Sequence, residues 1–62
     1  MKNRIKELRK KLNIKQVELA RAIGLPAPTL CRWENHQRKV PAEYAFKICK
    51  FFRKDFLEVF YD

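Results

Sequence analysis

Sixty-two residues allow one domain with a single small core, because a chain this short buries only about 60% of the surface its unfolded form exposes. Apolar residues make up 47% and aromatics 13%, above the range of a disordered chain, while fifteen Lys and Arg against seven Asp and Glu leave a net charge of +8. That balance points to a polyanionic partner, and nucleic acid fits better than an anionic membrane, which calls for a long amphipathic helix with its bases on one face.

No apolar run approaches the roughly 18 to 20 residues that span a bilayer, and the first residues alternate charged and apolar side chains instead of forming a signal-peptide core. A soluble, cytoplasmic protein with no membrane partner is expected. Cys31 and Cys49 lack the C-x-x-C spacing of a metal or redox motif and read as reduced packing residues, with no metal site.

In chain order, Ile5, Leu8 and Leu12 recur at helical spacing among Lys2, Arg4, Lys6, Arg9, Lys10 and Lys11, which predicts a first amphipathic helix over residues 2–12. Asn13 marks a break. Val17, Leu19, Ala20 and Ile23 then form a second stripe that stops at Gly24, the only glycine, predicting a helix over about 16–23. Pro26 and Pro28 suit a first helical turn, whose N–H groups have no intrahelical partner, and they announce a third helix over about 27–35 with Leu30 and Trp33 facing inward. Trp33 is read as core.

His36 to Val40 reads as a polar, basic loop, and Pro41 as the first position of a fourth helix whose apolar face carries Tyr44, Ala45, Ile48, Cys49 and Phe52. Asp55 and Glu58 have capping-box spacing and open a last short helix with Phe56, Leu57, Val59 and Phe60. There is no internal repeat or low-complexity linker.

Two short helices joined by a glycine turn carry the functional signal. Ala20 is small where one helix must cross closely under the next, and Gly24 stands where the chain turns through a left-handed conformation. In the string Gln16-Val17-Glu18-Leu19-Ala20, in Gly24 and in Trp33-Glu34-Asn35 the chain resembles the phage repressor and Cro type (XRE-like) of helix-turn-helix. Pro41-Ala42-Glu43, Ala45, Lys47-Ile48 and Glu58-Val59-Phe60 extend the likeness to nearly the whole chain. The resemblance implies an all-α, compact five-helix, lambda-repressor-like domain over residues 1–62, with its bihelical unit at about 16–35.

It also implies a sequence-specific regulator of transcription, a repressor, that binds double-stranded DNA with the helix at about 27–35 in the major groove. On that alignment Ala27, Pro28 and Arg32 face base edges. Thr29, Gln16, Asn35, His36, Arg38 and Lys39 face the sugar-phosphate backbone. Relatives often carry glutamine or another long polar side chain where this chain has Ala27 and Pro28, so thymine-methyl contacts and DNA shape are expected to supply part of the specificity. Lys15 stands where the cap of the second helix is expected and Pro26 where that of the third is, and losing such a cap costs about 1 kcal/mol.

No nucleophile with a base at sensible spacing, no second histidine and no Gly-rich phosphate loop supports an enzyme, a cofactor or a small-molecule substrate. Glu18 and Glu34 read as helix and salt-bridge residues. Regulators of this type read two half-sites as homodimers, and Phe51, Phe52, Phe56, Phe60 and Tyr61 are the expected dimer patch unless they close the domain's own core. The alternative function is a protein-interaction module on the same fold, an antirepressor or antitoxin-like partner. A bacterial or phage-encoded, nucleoid-associated protein is expected.

Overall fold

The computed structural model describes residues 1–62. Five helices, α1 (Ile5–Lys11), α2 (Gln16–Ile23), α3 (Ala27–Glu34), α4 (Ala42–Phe52) and α5 (Phe56–Val59), are framed by two short strands, β1 (Lys2–Asn3) and β2 (Phe60–Tyr61). The result is a small all-α helix-turn-helix fold whose two ends are tied by an antiparallel ribbon, with Lys2 opposite Tyr61 and Asn3 opposite Phe60.

Each helix contributes one large, fully buried side chain to the centre: Ile5, Leu19, Leu30, Ile48 and Val59. Burial of each stabilises the fold by about 1.5–3 kcal/mol. Ala20, Ile23, Trp33, Ala45, Phe52 and Phe60 complete the core. The absence of a longer side chain at Ala20 suits the packing of α2 on α3, and the Trp33 ring lies 5.4 Å from that of Tyr44. Trp33 is thus a core residue.

The expected helix over residues 2–12 starts later than its periodicity suggests. Residues 2 and 3 pair with the far end of the chain, and the buried Asn3 accounts for the switch. Its Oδ1 accepts the Ile5 N–H at 3.2 Å while its Nδ2 donates to the Trp33 carbonyl at 2.9 Å. Leu12 lies past the helix end and is exposed, and Ile14 packs against the core in its place. Val17 is likewise exposed rather than part of the buried stripe of α2. At the other end Phe60 leaves α5 for β2 (φ −114°, ψ 139°), which carries its ring into the core. Pro41 caps α4 rather than opening it.

Helix ends share one device. After α1, α2, α3 and α4 a residue at positive φ reverses the chain: Asn13 (57°), Gly24 (78°), His36 (61°) and Arg53 (56°). In each case the next N–H donates back five residues, from Ile14 to Arg9, Leu25 to Ala20, Gln37 to Arg32 and Lys54 to Cys49, at 2.8–3.1 Å. This closure satisfies carbonyls that would otherwise be orphaned at a helix C-terminus. Only α2 uses glycine for it.

Candidate nucleic-acid interface

The geometry of α2 and α3 is set by a buried ionic cluster. Arg9 donates through Nε to Glu34 Oε2 at 2.9 Å, through Nη2 to Glu34 Oε1 at 3.1 Å and through Nη1 to the Ile14 carbonyl at 2.9 Å. Gln16 Nε2 adds a bond to Glu34 Oε1 at 3.0 Å. One carboxylate at the last residue of α3 therefore ties α1 to the first residue of α2, while Arg9 also holds the turn between them. Glu34 was expected to be a salt-bridge residue; Arg9 was expected to be a surface cation. Its position four residues after Ile5 places it on the core face of α1, and a base there needs a buried acid.

Gln16, expected at the DNA backbone, is half-buried and held by Glu34, which fixes its amide at the positive end of α2. Lys15 caps α2 without a side-chain bond. Glu18 compensates: its Oε1 accepts the Lys15 N–H at 3.0 Å. The lost hydroxyl cap is thus partly replaced by the reciprocal half of a capping box.

Along α3, Pro28 and Arg32 are exposed and four residues apart, so they share one face. Arg32 forms no ion pair within the protein. Ala27 and Thr29 are half-buried, and Ala27 packs partly against the core. Asn35, His36, Arg38 and Lys39 are all exposed in or beside the turn that follows α3. Asn35 Nδ2 lies 3.4 Å from Cys31 Sγ.

The five aromatics expected as a dimer patch separate into two groups. Phe52 (8% exposed) and Phe60 (3%) are core residues, which corrects their place in that patch: the helical stripe of α4 and the turn into β2 aim both rings inward. Phe51 and Phe56 are exposed, and Tyr61 is half-buried with the Arg4 guanidinium 4.2 Å above its ring. Phe46 and Leu57, absent from that patch, are the most exposed large apolar side chains, at 71% and 77%. No group of three or more His, Cys, Asp or Glu side chains could hold a metal ion, and no helix is long and apolar enough to cross a membrane.

A bihelical unit with an outward-facing third helix, built on a five-helix core, defines a helix-turn-helix domain. A family model described as Helix-turn-helix matches residues 5–59, and the chain belongs to that family, the Cro/C1-type or XRE-like helix-turn-helix proteins. It is accordingly a DNA-binding regulatory domain, of a family that is not an enzyme family, and its partner is double-stranded DNA. A search of the curated proteins found no match to the chain.

Proposed function

We propose that this domain is a sequence-specific repressor that lays α3 in the major groove and occupies its site as a homodimer. The observation that carries the reading is the pairing of Pro28 and Arg32 on one exposed face of α3, flanked by the exposed polar and basic residues 35–39. Arg32 can donate two parallel bonds to guanine O6 and N7, and Pro28, with the exposed part of Ala27, presents apolar surface to a thymine methyl. Gln16, the positive end of α2, Thr29 and the residues Asn35, His36, Arg38 and Lys39 supply backbone contacts on both sides of the groove.

The domain measures 25 × 22 × 19 Å, a size suited to one half-site. Two copies would read half-sites about 34–36 Å apart. A location at the nucleoid of a bacterium, or on phage DNA within one, goes with this reading.

Selection of bound sequences from a random duplex library tests the proposal. Wild type is expected to enrich a half-site or palindromic motif, and Arg32→Ala to flatten one position of it. Enrichment of no motif at either low or moderate salt would instead support the protein-interaction reading, which the short side chains of Ala27 and Pro28 also favour.

A further inference from the structure

The proposed DNA contacts leave the face between α4 and α5 free. A groove of about 810 Å³ runs there, with Phe46, Cys49 and Phe56 among its apolar walls. Phe46 stands off the stripe of Ala45, Ile48 and Phe52 that fills the core, and its ring is left largely to solvent. Leu57, next to Phe56 in α5, is also exposed. A rimmed apolar patch of this kind is characteristic of an interaction surface. None of its walls belongs to α2 or α3, so an occupant would leave the DNA-reading helix free.

Charge decides between occupants. Lys50, Arg53 and Lys54 line the groove with a single acid, Asp55. Neither Lys50 nor Arg53 forms an ion pair, and Lys54 reaches only an exposed Glu58 at 3.9 Å, a contact worth little. A second copy docking here by two-fold symmetry would gather both sets of cations into one interface, between chains of net charge +8. An acidic segment would meet three cations against one acid. The eleven residues of α4 span roughly 16 Å, which suits about three turns of a helix laid alongside with anchors at i, i+3 or i+4, and i+7.

We propose that the α4–α5 groove docks an amphipathic helical segment of a partner protein, apolar on the face that meets Phe46 and Phe56 and acidic where it meets Lys50 and Arg53. The proposal stands independently of the DNA reading.

The probe is a fluorescent peptide of about 15 residues with leucines at helical spacing and glutamates on the flanks. Its controls are a scrambled peptide of the same composition and a peptide with lysine in place of each glutamate. Anisotropy titration of the full chain should show the patterned acidic peptide binding at least about tenfold more tightly than either control. Phe46→Ser and Arg53→Glu should each weaken it by about tenfold, and both sites are exposed enough for the variants to stay folded. Amide shifts on peptide binding should concentrate on α4 and α5, and bound duplex should stay bound. Equal binding of the scrambled peptide, shifts centred on α3, or displacement of duplex would overturn the proposal. So would failure of the patterned acidic peptide to bind; if Phe46→Ser then dissociates a dimer in sedimentation, the occupant is a second copy.

Discussion

Arg9 and Glu34 meet side-on across two helices, Nε to Oε2 at 2.9 Å, with side chains 11% and 2% exposed. Removing one partner strands a charge in the core, which costs about 3–5 kcal/mol, a large part of the stability of a domain this small. Arg9→Ala is therefore expected to unfold at far lower urea than wild type. The double variant Arg9→Met/Glu34→Leu should recover much of that loss, because no uncompensated ion remains, although Gln16 and the Ile14 carbonyl lose a partner. Equal midpoints for the single and double variants would show that the pair is not the source of the effect.

Helix termination offers a second test. Gly24 sits at φ 78° with nothing within 4 Å of where a Cβ would be, so Gly24→Ala meets backbone strain and no clash. A loss of about 1 kcal/mol is expected. Arg53 occupies the same left-handed region at 56° and its side chain is exposed, so Arg53→Gly should raise stability by about 0.5 kcal/mol. Thermal melts of the two variants should move in opposite directions.

The interior helices were legible because their information is local. The 3.6-residue spacing of Leu19 with Ile23, of Leu30 with Trp33 and of Ala45 with Ile48 and Phe52 marks a buried face without reference to the rest of the chain. The ends were not legible, since β1 exists only by pairing with β2 and the spacing of Ile5 and Leu8 is silent about that partner. Arg9 was hidden by its own charge. The aromatics misled in a different way: their number signalled surplus apolar surface, but the stripe of α4 already separated buried Phe52 from outward Phe46. Of the left-handed helix ends, Gly24 and the break at Asn13 announced themselves, whereas His36 and Arg53 adopt positive φ where closing hydrogen bonds, not residue type, demand it.

Cys49 gives the domain a signature at alkaline pH. Burial lifts its thiol above the ordinary value of 9.0, and the negative charge of Asp55 adds to the rise. The folded state then holds this proton more tightly than the unfolded state. Stability from this group is complete below pH 9.0 and falls as the pH climbs above it, where the unfolded thiol ionises first. Cys49→Ala removes that component. Its urea midpoint should approach that of wild type between about pH 8 and pH 10, and a constant difference across that range would contradict the assignment.

The DNA interface makes a distinction that affinity alone would miss. Arg32 is exposed on α3 and free of ion pairs, so Arg32→Ala should leave the melting temperature within error of wild type. Its cost should fall on one base pair, about 1–3 kcal/mol against the preferred sequence and little against a sequence already mismatched there. Arg38 and Lys39 lie in the turn after α3, where only phosphates are in reach under the proposed docking. Alanine at either should weaken binding to all duplexes alike and reduce the slope of log affinity against log salt by about 1. Titrations of matched and mismatched duplexes at several salt concentrations separate the two effects. If Arg32→Ala behaved as Arg38→Ala does, lowering the slope without changing preference, the arginine of α3 would be a phosphate ligand, and specificity would have to come from Pro28, Ala27 and the shape of the DNA.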